Sequence, residues 1–421
     1  MDEMYNYLIL QLIGVSVCIV GVLFLIAKAG FWKWLRKKTK AQKKSTVVGF
    51  GLLFLGIIFI LAGDQSYKIH FAMPPNLHSQ APDQNPPSLP VLSALDFLNK
   101  SKDMPRVNDI SADPNKVPEP ITRKYSKIVK ISMTTKEVIS EVAPGIYNNY
   151  WTYNGQTPGP MLRVREGDTV ELSLTNDKTS LHEHNIDLHA VTGPGGGATV
   201  TKVKPGETKT FSWKAMQPGL YIYHCATSNV SVHNSHGQYG LIMVDPKEGL
   251  EKVDKEFYVV QGELYTQGGI GKKGLVLFDP KALLDGNPTY VTFNGKVEDA
   301  PRMKVKKGEK VRIYVGNGGV NLISSFHIIG EIFDTVYPEA AMGEGSALHK
   351  NVQTTAVLPG GASIVEFQVD VPGKYILVDH ALARMNKGAW AILEVEGSPS
   401  PEIFKPGKSE FSPTKTNHSG M

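Results

Sequence analysis

The chain has 421 residues and a formal net charge of only +5, with charged residues making up 20%. That length exceeds one core and leaves room for two domains plus extensions. The basic excess is local: Lys28, Lys33, Arg36, Lys37, Lys38, Lys40, Lys43 and Lys44 crowd one stretch that holds no acid, so nucleic-acid binding is excluded as its explanation, and the two cysteines, Cys18 and Cys225, exclude a disulfide framework.

The basic stretch separates two apolar runs, Tyr5 to Ala27 and Thr46 to Ala62. Each is close to the ~20 apolar residues of a spanning helix. A basic loop stays cytoplasmic, which puts Asp2, Glu3 and the large C-terminal part outside. A cleaved signal peptide needs a basic segment before its apolar run, and none is present. A lipoprotein anchor at Cys18 needs a small residue where Val17 stands. The expectation for residues 1–63 is therefore two transmembrane helices in the cytoplasmic membrane, with lipid as a partner and the rest of the chain on the periplasmic, extracytoplasmic side. Residues 64–120 are polar and carry Pro74, Pro75, Pro82, Pro86, Pro87 and Pro90, the composition of a Pro-rich, semi-extended linker.

The remainder reads as all-β. Alternating runs such as Thr169-Val170-Glu171-Leu172-Ser173-Leu174 are bounded by turn residues, as half-buried strands are. An internal repeat follows. Asn154-Gly155 and Met161 to Val170 are echoed by Asn294-Gly295 and Met303 to Val311. Val203-Lys204-Pro205-Gly206 is echoed by Val357-Leu358-Pro359-Gly360, and Pro218-Gly219-Leu220-Tyr221-Ile222 by Pro372-Gly373-Lys374-Tyr375-Ile376. Three echoes in one order indicate two homologous β-sandwich domains, 121–250 and 251–396. A polar tail, expected to be disordered, fills 397–421.

The copies differ where chemistry enters. The first reaches Tyr223-His224-Cys225, the second Leu377-Val378-Asp379-His380 without a cysteine. A thiolate with two imidazoles and a weak fourth ligand is the donor set of an electron-transfer copper site, and His184, Cys225 and His233 supply it. On a strand, adjacent residues face opposite ways, so His224 points away from the Cys225 site and toward a second metal. His189, an odd step from His184, joins it, and His380 is the best candidate for a third imidazole. Three histidines with an open position suit zinc or copper; the adjacent thiolate favours copper, since zinc transfers no electrons. His182 reads as an exposed loop residue.

These stretches resemble the two-domain copper-containing nitrite reductases, the Neisseria-like group in particular. The carrying residues are His184-Asn185-Ile186-Asp187-Leu188-His189-Ala190-Val191-Thr192-Gly193, Gly195-Gly196-Gly197-Ala198, Tyr221 to Ala226, Ser324-Ser325-Phe326-His327-Ile328-Ile329-Gly330 and Val378-Asp379-His380. The resemblance implies cupredoxin-like Greek-key domains and a homotrimer. It assigns His184, Cys225 and His233 to a type 1 copper and His189, His224 and His380 to a type 2 copper at a subunit interface, with His380 from a neighbour. It implies nitrite as substrate, Asp187 and His327 as proton-handling residues and Ile329 as an apolar cap over the substrate. Reduction of nitrite to nitric oxide consumes protons, and general acids are what that chemistry requires.

Two features depart from the family. Five residues after His233, where it carries an axial methionine, stands Gln238, a known alternative ligand; His236 is the other candidate. The family's usual donor is a soluble cytochrome c or cupredoxin, whereas the hairpin and an oxygen ligand together suit a membrane quinol. A membrane-tethered cupredoxin carrier would need only the first ligand set, and a multicopper oxidase would need further His-x-His pairs that are missing.

Overall fold

The computed structural model describes residues 13–23, 48–60, 97–297, 302–405 and 407. The basic loop, the ends of both apolar runs, the proline-rich 64–96 and the tail beyond 407 lie outside the described residues. Residues 13–23 and 48–60 are helical, and among the described residues no helix is long and apolar enough to cross a membrane. The two helices touch through small residues. A Cβ at Gly14 or Gly56 would collide with the backbone of the other helix, and Cys18 lies against Gly56. Val15, Ile19, Val20, Leu23, Phe50, Phe54 and Ile58 point outward and are exposed.

The β body is a separate unit. Its first nine strands are β1 (Arg106–Val107), β2 (Ile128–Ala143), β3 (Ile146–Tyr153), β4 (Leu162–Arg165), β5 (Thr169–Asn176), β6 (Asp187–Leu188), β7 (Thr208–Lys214), β8 (Gly219–His224) and β9 (Tyr239–Asp245). The next six are β10 (Lys255–Leu264), β11 (Gly274–Leu275), β12 (Tyr290–Phe293), β13 (Arg302–Lys306), β14 (Lys310–Asn317) and β15 (Ser324–Ile329). The last six are β16 (Phe333–Tyr337), β17 (His349–Val352), β18 (Thr354–Val357), β19 (Ala362–Gln368), β20 (Gly373–Asp379) and β21 (Trp390–Glu396).

They form four sheets: β11-β3-β2-β5-β7 with β1 on β2, β4-β9-β8-β6, β12-β10-β14-β19-β16-β17, and β13-β21-β20-β15-β18. The first two sheets enclose one core, in which Val170, Leu172 and Leu174 of β5 meet Ile242 and Val244 of β9. The last two enclose another, with Val311, Ile313 and Val315 facing Phe326, Ile328, Leu377 and Leu393. Alternation explains both: β5 buries every second residue, as a strand with one face in a core must.

The repeat is visible in the topology. β2 runs parallel to β5 as β10 does to β14, and β4 runs parallel to β9 as β13 does to β21. Asn154-Gly155 and Asn294-Gly295 both turn with positive φ, which Asn and Gly tolerate. A third apolar cluster joins the sandwiches: Leu220, Ile222, Leu241 and Met243 lie against Tyr258, Val260, Tyr314 and Ile364. β8 and β9 are thus covered on both faces, and β9 is buried throughout. Buried charges span the same junction, with Arg163 on Asp245 at 2.9 Å and on Glu256 at 2.7 Å, and Arg312 on Glu256 at 2.9 Å.

Residues from Asp103 onward, placed by composition in the linker, lie on this body. β1 pairs in parallel with β2, Ala112 N–H donates to the Thr157 carbonyl at 3.1 Å, and Met104, Ile110 and Ala112 are buried.

Candidate metal centres

The doubly covered β8 carries the chemistry to its end. His224 is its last residue, and β6 pairs with it so that Asp187 lies opposite His224 and Leu188 opposite Tyr223. Cys225 then turns inward and is fully buried, while the His224 ring lies at the partly exposed surface. His184 precedes β6, tied to Val203 by two backbone hydrogen bonds of 3.1 and 2.8 Å. His184 is buried whereas His189 is exposed, as the odd step between them requires. His233 comes from the short helix Val230–Ser235, entered through Asn229 in the left-handed conformation.

In the buried group, His233 Nδ1 lies 3.3 Å from His184 Nδ1 and 3.2 Å from Cys225 Sγ. Gln238 Oε1 is 3.2 Å from the same nitrogen. Burial pushes the His233 imidazole down to about 3, so it is neutral at working pH. His184 holds its proton on Nε2, which donates to Glu137 Oε1 at 3.3 Å, leaving the Nδ1 lone pair directed into the group. Lone pairs of two imidazoles, a sulfur and an amide oxygen converge there without enough protons to separate them. A soft cation satisfies that arrangement. Asn185 N–H points at the sulfur from 3.4 Å.

Gln238 is fully buried, and its Nε2 has no hydrogen-bond partner among the described residues, so its place is fixed by what its oxygen meets. His236 points elsewhere. Its Nδ1 bonds to the Val232 carbonyl at 2.8 Å, and its ring stacks on Trp151 at 4.5 Å.

The second group is His189, His224 and Asp187. His189 Nε2 and His224 Nε2 are 3.0 Å apart, with Asp187 Oδ2 at 4.0 Å from the latter. His224 Nδ1–H donates to its neighbour's carbonyl, Cys225 O, at 2.9 Å, so Nε2 is the unprotonated nitrogen. The glycine loop leaves room for Asp187, since at Gly196, with φ of 55°, any Cβ would collide with Asp187 Oδ1.

His327, Ile329 and His380 form a separate group on the second sandwich. The rings of His327 and His380 are 5.3 Å apart, His327 Nδ1 donates to the Gln353 carbonyl at 2.6 Å, and Ile329 is exposed. Among the described residues neither histidine joins the cluster of Asp187, His189 and His224 within one chain.

Three participants were not singled out in the sequence. Glu137 on β2 is buried and takes N–H groups from Leu181, His182 and His184. Burial alone would raise its carboxyl, but hydrogen bonds from His182 and His184 outweigh it and hold it below the usual range. Trp151 lies among four imidazoles, 4.5 Å from His182, His233 and His236 and 5.5 Å from His184. Asn185 Oδ1 accepts Ala226 N–H at 2.6 Å and fixes the turn after Cys225; only its adjacency to His184 could have signalled it. His182 is more than a loop residue: its Nδ1 meets Glu137 at 3.1 Å and its ring packs on Trp151.

A buried thiol with two imidazoles and an amide oxygen, inside a β-sandwich, defines the class as cupredoxin-type copper oxidoreductases. A family model described as multicopper oxidase matches residues 134–249. A copper-containing nitrite reductase of Neisseria gonorrhoeae is 52% identical over 306 residues, covering 72% of this chain and 77% of that protein. That of Alcaligenes faecalis is 34% identical over 295 residues, covering 64% and 77%. Among solved structures, a copper nitrite reductase from Nitrosomonas europaea superposes with a TM-score of 0.57 at 33% identity, covering 65% of this chain and 96% of that one.

The chain belongs to the copper-containing nitrite reductase family. It is a copper-dependent oxidoreductase with type 1 and type 2 copper as its cofactors.

Proposed function

We propose that this chain reduces nitrite to nitric oxide, consuming one electron and two protons and releasing water, so that NO2⁻ + e⁻ + 2H⁺ gives NO + H2O. The observation that carries the proposal is the step from His224 to Cys225, in which adjacent residues enter different ligand groups. His184, Cys225, His233 and Gln238 hold the type 1 copper; His189 and His224, with His380 of a neighbouring copy, hold the type 2 copper. Copper at these sets supplies one-electron transfer and a Lewis acid for nitrite. The residues do the rest. The Cys225 to His224 backbone joins the two groups covalently. Asp187, opposite His224, and His327 deliver protons to the nitrite oxygen that leaves as water. Ile329 provides an apolar wall that restricts the substrate's orientation.

The second group is consistent with the homotrimer. It is partly exposed and holds two imidazoles, one short of a three-histidine site, while His327 and His380 lie together on the second sandwich. A second copy can unite them. The domain limits of the sequence reading, 121–250 and 251–396, belong to the same proposal.

Residues 1–63 anchor the enzyme in the cytoplasmic membrane. Supporting this, the described helical stretches turn glycines toward each other and apolar side chains outward, the arrangement of helices packed in lipid. A harder amide oxygen at Gln238 favours Cu(II) relative to a thioether; with the anchor, it suits a quinol donor, a soluble cytochrome c or cupredoxin being the alternative. Loss of quinol-driven turnover on deleting residues 1–63 supports the first, and unchanged turnover refutes a role for the hairpin.

The proposal is tested by anaerobic nitrite consumption and nitric oxide production, with copper measured on the same sample. Equal consumption and production with about two coppers per chain is expected. About one copper per chain without nitric oxide favours a cupredoxin carrier, which needs only the buried group.

A further inference from the structure

Glu137 is a carboxylate in a place that solvates it poorly. Its side chain is fully buried, and among the described residues its ion-pair partners are two imidazoles, His182 and His184. Oε1 collects four N–H groups: the backbones of Leu181 at 2.9 Å and His182 at 2.7 Å, His182 Nδ1 at 3.1 Å and His184 Nε2 at 3.3 Å. Four donors on one oxygen favour the anion. Among the described residues Oε2 has no hydrogen-bond partner, and Trp151, almost fully buried, roofs the imidazoles.

We infer that Glu137 is a positioning residue that fixes the His184 tautomer and supplies the negative charge that favours the oxidised state of the buried metal group. This rests on the assignment of His184, Cys225 and His233 to the type 1 copper. The charge count gives the direction. A thiolate, two neutral imidazoles and an amide leave Cu(II) with a net charge of about +1 and Cu(I) with about zero. Adding Glu137 makes these about zero and −1. In a buried, water-poor site charges act strongly on one another, so the carboxylate stabilises the oxidised state and lowers the reduction potential. Through its bond to His184 Nε2–H it also keeps Nδ1 unprotonated and aimed at the metal, as carboxylates behind metal-bound histidines do.

The test uses copper-loaded full-length protein and follows the thiolate-to-copper absorption during a redox titration. Glu137→Gln keeps the shape and loses the charge. It is expected to retain the absorption while the ratio of reduced to oxidised sites at a fixed applied potential rises about tenfold, equivalent to ~59 mV for one electron. Glu137→Asp keeps the charge and shortens the reach. It is expected to retain a potential near that of the parent while binding copper more weakly. An unchanged potential in Glu137→Gln, with absorption and melting temperature also unchanged, overturns the inference. So does a rise in Glu137→Asp as large as in Glu137→Gln, which also decides the matter if Glu137→Gln fails to fold. Absence of the absorption in the parent protein overturns the type 1 assignment itself.

Discussion

Asp187→Asn separates proton delivery from metal binding. Its carboxylate oxygen lies 4.0 Å from His224 Nε2, too far for a direct hydrogen bond and suited to a group placed between them. A positioned general acid is worth about 10²–10⁴ in rate, each tenfold being ~1.4 kcal/mol of barrier. Asp187 is partly open to solvent, and water can replace some of its proton supply, so the lower half of that range applies. Turnover should fall about 100- to 1,000-fold, or ~3–4 kcal/mol. Copper content should hold, because Asn has the same shape and the main-chain pairing of Asp187 with His224 remains. The assay is anaerobic nitrite turnover normalised to copper. Full turnover at full copper refutes the proton role. Loss of type 2 copper would instead make Asp187 a residue that orients a ligand.

Gln238→Met replaces the amide oxygen with a softer sulfur and should raise the potential of the buried site; an unchanged potential in a redox titration contradicts the axial role. Arg163→Ala strands the buried Asp245 carboxylate at the junction of the sandwiches, while Glu256 keeps Arg312, and should cost about 3–5 kcal/mol in urea unfolding, a loss under about 1 kcal/mol contradicting it. Burial raises Glu331 from 4.5 to about 7, so the folded state binds more protons than the unfolded one between those values. Stability should therefore fall as pH rises through that window, by about 1 kcal/mol once solvent screening is discounted. Glu331→Gln should remove that slope in unfolding curves taken across the window, and persistence of the slope assigns it to another group.

The fold was legible because its signals are local. Alternation in β5 and the paired Asn-Gly turns need only neighbouring residues, and their recurrence in order exposes the repeat. β9 was harder to read, since apolar side chains on both faces erase the period when a sheet is covered twice. The docking of residues 103–118 carried no periodic signal, because it depends on edges supplied by β2 and by Thr157. The candidate metal ligands that the structure brings together were legible as residue types at short spacing around β6 and β8. Glu137 was not. It stands in Thr134-Thr135-Lys136-Glu137-Val138 as an ordinary strand residue, and only the passage of β2 from an exposed first half to a buried second half places it behind His184. Spacing left orientations open; in the structure Gln238 turns toward the buried group and His236 onto Trp151.

The central claim is that two neighbouring residues serve two metals, and it is tested most directly by EPR and copper analysis of Cys225→Ser and His224→Ala. The account predicts that Cys225→Ser loses the type 1 signal and keeps the type 2 signal, and that His224→Ala does the reverse, each retaining about one copper per chain. Loss of both signals in either folded variant, or of the same signal in both, would contradict it.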